Sequence, residues 1–357
     1  MRSAVSRVLA TAIAAIAGPV VTSAEEPAPI GVAAPLTGPQ MPLGLQVVAG
    51  ASAARSSHDL VIADDSCSAE GGKSAAERFI AARVAIVTGF LCTEAIEAAL
   101  PKLSQAGIPV ITSGVRTNSL TDTRAKTGWL VWRVAPRADA EGDAVDRFLT
   151  DRWRSDYFAI VDDGTIYGRE LAESLRLSAE EKGLQPVLVD TYRPQMDNQI
   201  GLVGRLRRAG ATAVFVGGER DDAAIIARDA AKLDIDLTVA GGEALRARGE
   251  VAFPEGVLMV APPDWSTVAD AEALSRFRDA GIEPEGYVLP SHAVTEIVVE
   301  ALRQASQQGR PLPEMLAETA FQTVLGPIAF DPKGDLAADP YRLFRHDGTD
   351  FVEIEAP

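Results

Sequence analysis

Residues 84–112 read VAIVTGFLCTEAIEAALPKLSQAGIPVIT. A β-branched run, Val84–Thr88, gives way to a loop at Gly89 and then to an amphipathic stretch, Thr93–Ala106, that stops at Gly107; a second apolar run, Val110–Thr112, follows. Short β-branched runs read as strands and the amphipathic stretch as a helix, so this segment predicts a strand–helix–strand unit. Repeated units of this kind imply an α/β fold, a parallel sheet with helices on both faces.

The same alternation extends in both directions. Upstream, Ile30–Ala34 and Leu60–Ala63 read as strands, and Leu43–Arg55 and Lys73–Ala82 as helices. Downstream the rhythm restarts after Arg133. Helices are expected at Ala140–Arg152, Tyr167–Lys182, Ile200–Ala209 and Ala223–Leu233, and strands at Phe158–Val161, Val187–Asp190, Ala213–Val216, Leu237–Ala240 and Val257–Val260. Two such series predict two doubly wound lobes. Pro136 and the pair Pro262-Pro263 favour extended backbone and are candidate crossings between them. Two more helices, Asp270–Ala280 and Val288–Gln307, and short strands at Thr323–Leu325 and Ile328–Phe330 come next. Tyr341–Arg345 and Phe351–Glu353 flank an Asp347-Gly348 turn signal and read as a hairpin.

The chain starts with Arg2 and Arg7, an apolar run Val8–Val21, and the small residues Thr22-Ser23-Ala24 ahead of Glu25-Glu26. Charge, apolar run and small residues in that order read as an export signal over residues 1–24. The run is shorter than the ~20 residues that span a bilayer, so a mature protein outside the membrane is expected. The formal net charge of −16 disfavours nucleic acid, whose phosphates an acidic surface repels. The two cysteines, Cys67 and Cys92, suggest a disulfide in an exported chain.

Catalytic chemistry finds no support. His58, His292 and His346 show no metal-ligand spacing, and no nucleophile elbow is present. Cys67–Ser74 has the tail of a phosphate loop but a cysteine at its first glycine position, which excludes it as a nucleotide site. A binding protein without cofactor is therefore expected, not an enzyme.

In open α/β sheets, ligands sit beyond the carboxyl ends of strands, where helix N-termini offer free N–H groups. Here that rule selects Thr93 at a helix start and the polar loop 113–118, with Gly114 and the cation Arg116. In the second series, Gly217-Gly218-Glu219 and Gly241-Gly242-Glu243 each place a glycine pair and then a carboxylate after a strand.

Several stretches together resemble the leucine/isoleucine/valine-binding family of type I periplasmic binding proteins. They are Ile30–Pro39, Asp64–Cys67, Gly89–Thr93, Asp163–Gly168 and Gly326–Leu336, and the resemblance spans nearly all of the mature chain. It implies two Rossmann-like lobes joined by three crossover segments: residues 27–136 with 264–335, and residues 137–263 with 336–357. The Cys67/Cys92 pair matches the family's first-lobe disulfide. By position, Thr93 resembles the hydroxyl that holds the ligand's α-carboxylate, Gly114 a backbone contact, Glu243 the partner of the α-ammonium, and Tyr167 and Tyr287 aromatic wall positions. Three departures stand out: Arg116 where threonine is usual, and Leu43 and Glu219 where aromatic residues are usual. Arg116 either pairs with the ligand carboxylate or joins Glu219 in selecting a polar side chain. The resemblance further implies capture of an amino-acid-like molecule in the periplasm for an inner-membrane ABC permease and its ATPase. A periplasmic sensor feeding a signalling receptor, or a binder of a non-amino-acid carboxylate, are the competing expectations.

Overall fold

The computed structural model describes residues 27–54 and 56–355; the export signal read over residues 1–24 and the helix end expected at Arg55 lie outside them. The first sheet contains β1 (Ile30–Ala34), β2 (Leu60–Asp64), β3 (Ile86–Gly89), β4 (Val110–Thr112) and β5 (Val131–Arg133), all parallel, in the order β2-β1-β3-β4-β5. Side chains on a strand alternate between faces. On β1, Ala33 therefore joins Phe79, Ile96 and Leu100 of helices 69–81 and 93–105. On the opposite face, Ile30 packs with Val294 and Ile297 of helix 288–308, and Val32 with Val47 of helix 41–53. The long helix 288–308 is thus a late return of the chain to the first sheet.

The second sheet is built from β6 (Phe158–Asp162), β7 (Leu188–Thr191), β8 (Ala213–Gly217), β9 (Thr238–Gly241) and β10 (Leu258–Ala261). With β13 (Arg342–His346) and β14 (Phe351–Glu353) its strand order is β14-β13-β10-β9-β8-β6-β7, a hairpin at one edge. Helices 200–209 and 220–232 cover one face and helices 140–152 and 166–181 the other. Between β10 and that hairpin in sequence come β11 (Phe321–Thr323) and β12 (Gly326–Ile328), a small separate antiparallel pair; β13 and β14 then complete the second sheet as the expected hairpin.

Two expectations shift. The pair β11/β12 lies two residues earlier than its hydrophobicity implied, because Val324 and Leu325 form the turn and Phe321 pairs with Ile328. Val324 is buried there and its N–H donates to Glu296 Oε2 at 2.7 Å, so apolar character marks packing at the turn, not strand. Strand β5 went unread: three residues are too few to show a period, and they include an arginine. That Arg133 is fully buried, its Nε 2.5 Å from Asp335 Oδ1 and a terminal nitrogen 2.6 Å from Thr121 Oγ1. A buried guanidinium is tolerable only when paired and hydrogen-bonded. The pair joins the last strand of the first sheet to the segment on which the chain leaves for β13.

Candidate ligand-binding cleft

The loops after β6, β8 and β9 leave the second sheet beside the point where its strand order reverses, the place where an open α/β sheet leaves a crevice. Thr165 caps helix 166–181 by accepting from the Gly168 N–H at 3.0 Å, which puts Tyr167 in its first turn. The glycine pairs have a packing cause. A Cβ on Gly217 would lie 2.3 Å from the Gly168 carbonyl oxygen, and one on Gly242 would lie 2.2 Å from Glu141 Oε1. Strand ends and helix starts meet at backbone distance, and Glu219 and Glu243 then emerge directly beyond.

They emerge at a cavity of about 820 Å³ between the two halves. Its second-lobe wall carries Tyr167, Glu219, Glu243 and Arg246. The opposite wall is Glu283–Gly286 and Leu289 at the start of helix 288–308. The segment Pro262–Ser266 completes the lining.

Beside this cleft, five side chains from distant parts of the chain interlock. The Arg116 guanidinium, from the loop after β4, bonds Glu243 Oε1 with one nitrogen and the Tyr341 hydroxyl with the other at 2.6 Å. The Tyr341 hydroxyl donates to Glu243 Oε2 at 2.8 Å. Glu141, buried, accepts from the Tyr167 hydroxyl and from the Glu243 N–H, both at 2.7 Å. Burial first, and the charge of Glu243 second, push the Glu141 carboxyl up to about 7. Burial and the nearby carboxylates raise both phenols, so Tyr167 and Tyr341 remain donors at neutral pH. Burial opposes the charge on Arg116, but Glu243, Tyr341 and Glu141 together outweigh it and raise its pKa, so the guanidinium stays charged.

Of the side chains singled out from the sequence, Tyr167, Glu219 and Glu243 line the cavity. Glu219, exposed, precedes helix 220–232 and has no side-chain hydrogen bond among the described residues. The rest stand on the first lobe. Thr93 opens helix 93–105, and its hydroxyl is 2.6 Å from that of Thr117. The Gly114 N–H donates to Thr112 Oγ1 at 3.2 Å, and Gly114 lies under Leu91 and Tyr287, where a Cβ would clash. Tyr287 sits at the head of helix 288–308, its N–H bonded to Gln46 Oε1 at 3.0 Å; Leu43 is exposed in the first turn of helix 41–53. Cys67 and Cys92 form a disulfide with a Cα–Cα distance of 5.2 Å, immediately before Thr93.

Glu141, Arg246 and Tyr341 were not found by sequence reasoning. Glu141 lies in the first turn of a helix, where acidic residues are commonplace, and Tyr341 precedes a strand. No local pattern unites residues 116, 141, 243 and 341. Their meeting is a property of the crossovers. Among the described residues, no group of three His, Cys, Asp or Glu side chains could hold a metal ion, and no helix is long and apolar enough to cross a membrane.

Comparison with known proteins gives a consistent placement. A family model described as a periplasmic binding protein matches residues 27–350. The Leu/Ile/Val-binding protein homolog 2 of Brucella abortus is 28% identical over 333 residues, covering 88% of this chain and 89% of that one. Among solved structures, an ABC transporter substrate-binding protein from Desulfitobacterium hafniense in complex with Leu aligns with a TM-score of 0.64 at 21% identity, over 92% of this chain and 99% of that one. The solute-binding protein of an ABC transporter from Rhodopseudomonas palustris BisB5, in complex with 3,4-dihydroxybenzoic acid, aligns with a TM-score of 0.62 at 17% identity, over 93% and 98%. At these identities the structural likenesses establish the fold alone.

Proposed function

The chain belongs to the periplasmic binding protein family, a family of binding proteins and not of enzymes, and from that premise we propose that it is the solute receptor of an ABC importer for an amino acid or amino-acid-like molecule. The observation that carries this reading is the cleft itself. One wall offers two carboxylates, Glu243 and Glu219, beside the Tyr167 ring, in a volume that suits a small solute. An ammonium group meets such a wall through charge-assisted hydrogen bonds. On this reading Thr93, Gly114, Arg116, Leu43 and Tyr287, none of which lines the cavity in this structure, are the first lobe's contacts to the ligand.

On this reading residues 1–24 direct export, and the mature protein works in the periplasm. The lobes are residues 27–136 with 264–335 and 137–263 with 336–357. Their rigid-body closure on the connecting segments buries the ligand. The closed form then docks on an inner-membrane permease driven by its ATPase.

A second reading rests on Arg116. Both oxygens of Glu243 already have partners, Arg116 and Tyr341, so a carboxylate ligand without an ammonium group also suits the cleft. A thermal-shift screen of amino acids and small carboxylates separates the two. A ligand at 100 times its Kd adds about 2.7 kcal/mol of stability. If amino acids stabilise the protein, Glu243→Ala should weaken their binding strongly; unchanged affinity in calorimetry would remove Glu243 from the ammonium site.

A further inference from the structure

Three groups on the first lobe are suited to an anion, and each is engaged within the protein. The Thr93 hydroxyl pairs with Thr117, the Gly114 N–H with Thr112, and the Arg116 guanidinium with Glu243 and Tyr341. Arg248, at the mouth of the cleft, is almost fully exposed and stands 3.7 Å from Glu285. Arg246 differs from all of these. It lies three residues after Glu243 in a 3₁₀ turn, Glu243–Arg246, where residues i and i+3 share one side. Both line the cavity. Among the described residues Arg246 is in no ion pair; its one hydrogen bond runs from a terminal nitrogen to the Pro262 carbonyl at 2.7 Å. The guanidinium lies over the Phe344 ring, 5.0 Å from its centroid, which steadies the stem. Burial lowers its pKa, while Asp264 and Glu243 oppose that shift. A guanidinium has five N–H donors in a planar fork that matches a carboxylate, so most of this fork is unused.

We infer that Arg246 is the anion anchor of the cleft, receiving the carboxylate of the bound solute from the second lobe. This rests on the reading of the cleft as a site for a small carboxylate, and it specifies which side chain holds the acidic group. Glu243, one 3₁₀ turn away, is the acidic neighbour of Arg246, and its two oxygens are held by Arg116 and Tyr341. Glu219, without a side-chain partner among the described residues, is the carboxylate on the same wall that is open to a ligand cation, so that Glu219 and Arg246 present opposite charges to a zwitterion.

The test uses the full-length exported protein, purified without added ligand. It is screened by thermal shift against the twenty standard amino acids, benzoate and 3,4-dihydroxybenzoate. Each acid that stabilises the protein is then titrated by calorimetry, beside its primary amide, into wild type, Arg246→Met and Arg246→Gln. The Gln variant keeps an N–H for the Pro262 carbonyl and removes only the charge. The expected result is a loss of about tenfold or more in affinity for the acid in both variants, as for a hydrogen bond to a charged group. The preference of wild type for acid over amide should vanish with it. A folding defect would not abolish that preference selectively. Acid affinity and acid-over-amide preference that survive in Arg246→Gln overturn the inference. So does their loss in Thr93→Val with none in the Arg246 variants, which would put the carboxylate on the first lobe. Stabilisation by none of the acids overturns the reading of the cleft as a carboxylate site, and the inference with it.

Discussion

Arg116 and Glu243, 127 residues apart in the chain, form an ion pair that ties the loop after β4 to the turn after β9, with Tyr341 bridging the two. The pair is about one-third exposed on the arginine side and 27% on the glutamate side, so solvent screens part of it. Removing either partner nevertheless leaves a half-buried charge. Arg116→Ala also removes a cation that favours the ionised form of Glu141, beside Glu243. We expect each single alanine variant to lose about 1–2 kcal/mol in urea unfolding, and the double variant to lose less than the sum by about 1 kcal/mol. Strict additivity would mean that the tie between the halves carries no energy.

Glu141 supplies a pH test. Its carboxyl is raised from 4.5 to about 7, so between these values the folded protein holds a proton that the unfolded chain has released. Stability contributed by this group is therefore present below about pH 4.5 and is lost as pH rises through 7. Glu141→Gln keeps an oxygen for Tyr167 and the Glu243 N–H and removes the titration. Relative to wild type it should gain stability from pH 5 to pH 8, on the order of 1–3 kcal/mol. A difference between the two melting curves that does not change with pH would assign the proton elsewhere.

How much of this could be read beforehand varies with the range of the cause. Strand and helix identity is a local signal, and the βα series was legible from Ile30 to Val260, as was the hairpin at Asp347-Gly348. The family was legible because its motifs are contiguous, Gly89–Thr93 and Gly326–Leu336 among them. The short strand β5 was not, since its burial of Arg133 depends on Asp335, 202 residues away. The cleft residues divide in the same way. Glu219 and Glu243 follow glycine pairs at strand ends, a position with a rule behind it. Glu141, Tyr341 and Arg246 gain meaning only from their neighbours: a helix-start glutamate, a pre-strand tyrosine and a turn arginine have ordinary local roles.

The disulfide should act locally. Cys67 and Cys92 are 25 residues apart, and closing a loop of that size stabilises by about 3 kcal/mol through the unfolded chain. The helices it flanks, 69–81 and 93–105, are held by their own apolar contacts, Ala75, Ala76, Ile96 and Ala99 among them. The paired change Cys67→Ala with Cys92→Ala should lower stability by about that amount while the fold persists. The same shift on adding a reductant to wild type would attribute it to the bridge; a change below about 0.5 kcal/mol would show that the unfolded chain gains little freedom from its loss.

Two glycines separate two costs of a methyl group. Gly183 ends helix 166–181 with φ +75° and open space around its missing Cβ, so Gly183→Ala pays only for left-handed backbone, about 1–2 kcal/mol. Gly217 has no such φ, but its Cβ would fall 2.3 Å from the Gly168 carbonyl oxygen, and neither backbone can yield without moving helix 166–181 away from β8. Gly217→Ala should therefore cost about 2–3 kcal/mol, at the upper end for overpacking. It should also displace Tyr167, which rides on that helix one residue before Gly168, and so loosen its bond to Glu141. A lowered urea midpoint together with weakened solute binding is the expected pair of results. Gly183→Ala, at the far end of the same helix, should lower the midpoint alone. If Gly217→Ala lost stability and left binding unchanged, Tyr167 would not depend on the strand–helix contact for its place in the cleft.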